Sequence, residues 1–136
     1  MPANAKTELI KRVPLFAQCS KQELARIATL ADELDVRAGK VLAREGDRGR
    51  EFFLILEGAV EVRAKGRKVA TLAGGDFFGE VALVTKAPRI ATVTATTPLR
   101  VLVISDRAFK DLLARSPQIQ AKVLRALAAR VAETLL

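Results

Sequence analysis

The sequence predicts a mainly β fold: an antiparallel barrel or roll over about 33–105, flanked by α-helices over about 7–31 and 106–136. Three observations carry that reading. From Glu33 to Ser105 apolar residues alternate with polar ones, whereas both flanks repeat at helical spacing. All eight glycines lie between residues 39 and 79, at the near-regular intervals of turns in an antiparallel sheet. A single helical turn at 80–84 interrupts the strands, a feature for which a plain sandwich has no use.

The elements follow in order. Thr7 to Val13 reads as a first helix, stopped by Pro14, which disfavours helix in the residue before it. Ser20 and Glu23 form an S-x-x-E capping box, with Cys19 and Leu24 as a hydrophobic staple and Leu24, Ile27, Ala28 and Ala31 as the buried stripe. Seven alternating pairs mark strands: Leu34/Val36, Val41/Ala43, Phe53/Ile55, Val60/Val62, Val69/Thr71, Val93/Ala95 and Val101/Val103. Ser105 opens a helix with the stripe Ala108, Phe109, Leu112 and Leu113. Ser116-Pro117 starts the last one, Ser as N-cap and Pro at the first helical position. Its apolar residues Ile119, Val123, Leu127, Val131 and Leu135 recur at every fourth position, a stripe able to dock on the roll or pair with a second copy.

Composition narrows the function classes. The chain has 136 residues, 50% hydrophobic and 28% charged, the balance of one globular domain rather than of disorder. Its net charge of +8 is spread evenly: 10 basic and 7 acidic residues in 1–50, 7 and 5 in 51–100, 6 and 3 in 101–136. With no basic block and only six aromatics, all Phe, nucleic-acid binding by this chain alone is not expected. No apolar run is long enough for a membrane span, and the N-terminus lacks the apolar core of a signal peptide. Cys19 is the one cysteine, so no internal disulfide forms and a reducing compartment, the cytoplasm, is expected. There is no histidine, hence no zinc site or Ser-His triad, and the chain is read as a non-enzyme without a cofactor.

One stretch remains, Gly74 to Ala91. Gly79 removes a Cβ where a ligand would approach the backbone. The turn beginning at Glu80 exposes N–H groups suited to an anion. Arg89 offers a planar, permanently charged fork for a phosphate, and the acceptor-only Glu80 can hold a hydroxyl. A site that wants both a phosphate and a sugar hydroxyl is a nucleotide site. The bland alternative is a loop arginine paired with Glu51 or Asp76, and a glutamate placed favourably at a helix start.

Phe78-Gly79-Glu80-Val81-Ala82-Leu83, followed by Pro88-Arg89-Ile90-Ala91-Thr92-Val93, resembles the phosphate-binding cassette of the cyclic-nucleotide-binding domain family. That family includes the regulatory subunit of cAMP-dependent protein kinase, cyclic-nucleotide-gated channels and the catabolite activator protein. The turns Gly46-Asp47-Arg48-Gly49 and Leu56-Glu57-Gly58 also resemble those that flank the family's Phe-Phe-Leu-Ile strand. The resemblance implies an eight-stranded jelly-roll-like β-roll with N-terminal helices and two C-terminal helices, in which Arg89 pairs with the cyclic phosphate and Glu80 accepts from the ribose 2′-hydroxyl. It implies cassette contacts from Phe78, Gly79, Val81, Ala82, Leu83, Pro88, Ile90 and Ala91, and a lid contact to the base from Arg130. The position after the arginine is usually small or hydroxylated and is Ile90 here. Without a hydroxyl to meet the extra amino group of guanine, cAMP is expected over cGMP.

The expected function is therefore a cyclic-mononucleotide sensor or regulatory module acting on an effector protein or domain. The alternative is a protein-interaction module that keeps the fold, binds no nucleotide and uses the last helix, including as a homodimer.

Overall fold

The computed structural model describes residues 3–80 and 88–135, with side chains over 5–80 and 88–129. Eight strands among the described residues form two four-stranded antiparallel sheets. They are β1 (Asp32–Val36), β2 (Val41–Ala43), β3 (Glu51–Glu57), β4 (Ala59–Ala64), β5 (Arg67–Ala73), β6 (Phe77–Phe78), β7 (Thr92–Ala95) and β8 (Leu99–Ser105). The first sheet runs β1-β8-β3-β6 and the second β2-β7-β4-β5. The chain divides into two compact units: the roll, Ala31–Arg107, and a helical unit made of Met1–Leu30 and Ala108–Leu136.

Within the roll, alternation decides what is inside. Phe53 and Ile55 of β3 share one core with Ala43, Val60, Val93, Ala95, Leu99 and Val101. The intervening residues Phe52 and Leu54 are buried as well, as are Leu102 and Ile104 of β8. That two-faced burial is why β3 and β8 read as continuous apolar runs. Leu34 and Val69, which the alternation assigned correctly to strands, are 48% and 59% exposed. Both lie on edge strands, β1 and β5, where neither face need be covered. The β4–β5 hairpin turns on Lys65 and Gly66, both with positive φ (53° and 78°), the conformation that two-residue hairpin loops require.

In the helical unit, α1 spans Ala3–Lys11, starting and ending earlier than the sequence suggests. Val13 is extended (φ −72°, ψ 126°) and Pro14–Phe16 forms a 3₁₀ turn, so the restriction imposed by Pro14 reaches back past Val13. The box before α2 (Lys21–Leu30) is formed as expected: the Ser20 N–H donates to Glu23 Oε1 at 2.8 Å and the Glu23 N–H to Ser20 Oγ at 3.2 Å. Cys19 and Leu24 are both buried. Burial, reinforced by the Glu23 carboxylate, pushes the Cys19 thiol up, so it stays protonated and unreactive. The remaining helices are α3 (Asp106–Arg115) and α4 (Pro117–Leu135). Phe109 of α3 meets Phe16 edge-on at 5.5 Å, and Ile119 and Val123 of α4 are fully buried. Ser116 caps α4 loosely, accepting from the Ile119 N–H at 3.5 Å.

One contact here has no local signature. Lys122 of α4 donates to Glu23 Oε1, ninety-nine residues earlier in the chain. Lys122, with the Ser20 N–H second, holds the Glu23 carboxyl below the usual glutamate range against the opposing effect of burial. A carboxyl with a depressed folded-state pKa stabilises fully above its unfolded value of about 4.3 and loses that stabilisation as pH falls through the folded value. Glu23→Gln is expected to cost about 1–3 kcal/mol near neutral pH, because Lys122 loses its counter-charge. The deficit should close as pH falls through the depressed folded-state value, below which the wild-type carboxyl is protonated as well. Melting temperatures of both proteins across that range check this; a deficit independent of pH would show that the charge is not what matters.

Candidate functional site

The site is built outward from β3. Phe78 of β6 pairs with Phe53 of β3, and their rings stack at 4.8 Å with planes 16° apart. Phe77 pairs with Leu54, and its ring lies 6.2 Å from that of Phe52. The turn entering β6 is closed by hydrogen bonds from the Gly75 N–H to the Ile55 carbonyl (2.8 Å) and from the Ile55 N–H to the Asp76 carbonyl (2.9 Å). This aromatic and hydrogen-bonded anchorage sets the chain at Gly79 against the start of β3.

Arg89 comes to the same place from the other direction. Its backbone is held on both sides by the 46–48 turn: the Arg89 N–H donates to Asp47 O at 2.7 Å and the Gly46 N–H to Arg89 O at 2.8 Å. Arg48 and Pro88 form the adjoining bridge. The side chain then reaches β3, where Nη2 donates to the Glu51 carbonyl at 2.7 Å. Gly79 lies beneath it with φ +84°; a Cβ there would stand 2.6 Å from Arg89 Nη1 and 2.8 Å from Glu51 O. The space that Gly79 leaves is thus occupied by the guanidinium itself. Burial lowers the Arg89 pKa from its ordinary value, and the nearby Glu51 carboxylate works in the opposite sense.

Glu80 follows directly, half-buried in a 3₁₀ turn, with Oε2 shielded from solvent. Phe78, Gly79, Glu80 and Arg89 are therefore brought together around one end of β3. Ala91 is half-buried just before β7, whereas Pro88 is exposed and Ile90 is 86% exposed. Val81, Ala82, Leu83 and the rest of the 80–84 turn beyond Glu80 lie outside the described residues, as does the Arg130 side chain. Of the two alternative partners for Arg89, Glu51 is at hand; Asp76 instead accepts from the Ala73 N–H at 2.9 Å.

Beside Arg89 opens a cavity of about 240 Å³, lined by β2 and by Arg44, Asp47, Arg48, Glu51 and Arg89. Sequence reasoning recognised the Gly46–Gly49 turn and named Glu51 as a possible partner of Arg89, but not the turn's part in clamping Arg89, nor Arg44, Asp47 and Arg48 in the wall. The alternation Glu51, Phe53, Ile55 was the available signal for Glu51: it places that carboxylate on the inward face of the roll.

The fold and this geometry define a class. Residues 33–116 match the sequence model of the cyclic nucleotide-binding domain, and the chain belongs to that family. Among its relatives, the cAMP-dependent protein kinase regulatory subunit of Mycosarcoma maydis is 42% identical over 110 residues, 74% of this chain and 21% of that protein. A putative potassium channel protein of Rhodopseudomonas palustris is 33% identical over 131 residues, 93% of this chain and 32% of that one. Among solved structures, the N-terminal domain of a transcriptional regulator from Streptomyces coelicolor A3(2) superposes with a TM-score of 0.84 at 29% identity, covering 93% of this chain and 94% of that one. The chain spans between about a fifth and a third of the length of these two curated relatives.

Gly79→Ala tests the seat of Arg89. The positive φ alone costs about 1–2 kcal/mol, and the guanidinium must move to clear the methyl group. The variant is expected to unfold at lower denaturant concentration by at least that amount. A stability equal to wild type would mean that the close approach of Arg89 to Gly79 is absent in solution.

Proposed function

We propose that the chain binds a 3′,5′-cyclic mononucleotide, cAMP in preference to cGMP, as a regulatory module rather than as an enzyme. Occupancy would be coupled to movement of the C-terminal helix and through it to an effector protein or domain. The observation that carries this reading is the seating of Arg89: a partly desolvated guanidinium fixed by the Glu51 carbonyl and lying against Gly79, the residue that immediately precedes Glu80 in the chain. A phosphate would take the guanidinium's remaining N–H groups, and Glu80 would accept from the ribose 2′-hydroxyl. The lid contact from Arg130 and the cassette contacts from Val81, Ala82 and Leu83 belong to the same proposal. Leu124 of α4, 60% exposed, would lie in the surface offered to an effector or a second copy. No helix among the described residues is long and apolar enough to cross a membrane. The lone Cys19 suits a reducing compartment, and the cytoplasm is proposed on that ground.

The fold-keeping interaction module stays as the second reading because Ile90 is so exposed beside Arg89. Calorimetric titration with cAMP and cGMP separates the two. Arg89→Ala is expected to weaken cAMP binding by about 2–5 kcal/mol, the cost of removing one partner of a desolvated charge pair. That is about thirty-fold or more in affinity. Arg89→Lys should also weaken it, since an ammonium cannot reproduce the planar fork. A titration of wild type without heat or saturation would favour the interaction module.

Glu80 calls for a different ligand. Wild type should bind 2′-deoxy-cAMP more weakly than cAMP by about 1.5–3 kcal/mol, while Glu80→Ala should bind both alike. If the variant still discriminates between them as wild type does, Glu80 does not hold the ribose.

A further inference from the structure

The cavity beside Arg89 is not a uniform trap for anions. Arg44, Arg48 and Arg89 contribute three positive charges to its wall and Asp47 and Glu51 two negative ones, leaving a net charge of one. These groups differ in burial: Arg44, Asp47 and Arg48 are exposed, whereas Glu51 and Arg89 are half-buried. Solvent screens the first three strongly and the last two much less. The field that a ligand meets is therefore set chiefly by one guanidinium and one carboxylate. Their backbone relation is fixed, because the Glu51 carbonyl accepts from Arg89 Nη2 at 2.7 Å. The alternation along β3 turns the Glu51 side chain inward, on the same face as Phe53 and Ile55.

We propose that Glu51 is a specificity-determining residue that makes this site select a phosphate carrying one negative charge over a phosphate carrying two. The inference rests on the cyclic-nucleotide reading and deepens it. A cyclic phosphodiester carries a single charge, which Arg89 balances. An open-chain 5′-phosphomonoester carries about 1.5 to 2 at neutral pH, its second ionisation lying near pH 6. The additional charge meets the Glu51 carboxylate and finds Nη2 of Arg89 already committed to a carbonyl. Glu51 would thus separate the cyclic nucleotide from its hydrolysis product, 5′-AMP, by charge.

Calorimetric titrations of wild type and Glu51→Gln with three ligands test this: cAMP, 5′-AMP, and the 5′-phosphate monomethyl ester of AMP. The ester keeps the open chain of AMP but carries one charge, which divides charge from ring shape. Wild type should bind the ester more tightly than 5′-AMP. In Glu51→Gln both cAMP and 5′-AMP should gain affinity, and the gap between them should narrow by about three- to tenfold, the screened repulsion of one further charge at close range. The carbonyl that holds Arg89 is backbone and survives the substitution, so the variant should melt with wild type. An unchanged gap, or equal losses for both nucleotides, would show that Glu51 only positions Arg89 and would overturn the proposal. So would an ester that binds wild type no better than 5′-AMP, a comparison that needs no variant. Failure of cAMP to bind wild type is a separate outcome: it removes the cyclic-nucleotide reading and this inference with it.

Discussion

The constraint on which the site depends is the seating of one guanidinium. Taking a permanently charged group partly out of water is unfavourable unless its N–H groups are met and its position is fixed. Among the described residues, Arg89 is met by the carbonyl of Glu51 and packs over a glycine where no side chain would fit. Its backbone is clamped by Gly46 and Asp47 before the side chain sets out. Much of the roll serves to bring these pieces together. Stacked Phe53 and Phe78 hold Gly79 to β3, and β7, which begins at Thr92, carries the other end of the cassette into the second sheet.

The helical unit has its own organising contact. Glu23 does two things with one carboxylate oxygen: it closes the capping box on the Ser20 N–H and receives Lys122 from α4. The contact falls on α4 between two fully buried anchors, Ile119 and Val123. The start of α4 is thereby tied to α2 by charge as well as by packing. Leu124, the next residue along, is exposed.

A shared fold does not fix a shared output. The relatives of this chain include a kinase regulatory subunit, a putative potassium channel protein and a transcriptional regulator, three kinds of protein around one domain. What such domains can hold in common is the chemistry of the site, here the set Arg89, Glu80 and Gly79, rather than the roll alone. The charged wall around Arg89 brings in groups from outside that set. Glu51 and the Arg44–Arg48 segment belong to β3 and the loop before it, not to the Phe-Gly-Glu and Pro-Arg stretches.

Features decided within a few residues were legible in the sequence. The Ser20–Glu23 box depends on two side chains three positions apart, strands on alternation, and turns on glycines free to adopt positive φ. The spacing of Phe78-Gly79-Glu80 and Pro88-Arg89 was readable for the same reason. Contacts set by sheet order and helix packing were not. Nothing near Glu23 in the chain announces Lys122, and nothing near Arg89 announces the carbonyl of Glu51, thirty-eight residues earlier. Leu34 and Val69 alternate as core residues do, yet their strands lie at sheet edges and leave them exposed. Sequence alone thus determined the kinds of element and the residue types of the site, because those follow from local backbone preference and side-chain chemistry. Tertiary structure decided which carbonyl receives Arg89, which side chain faces its charge and which apolar residues stay outside, because each depends on which distant segments pair.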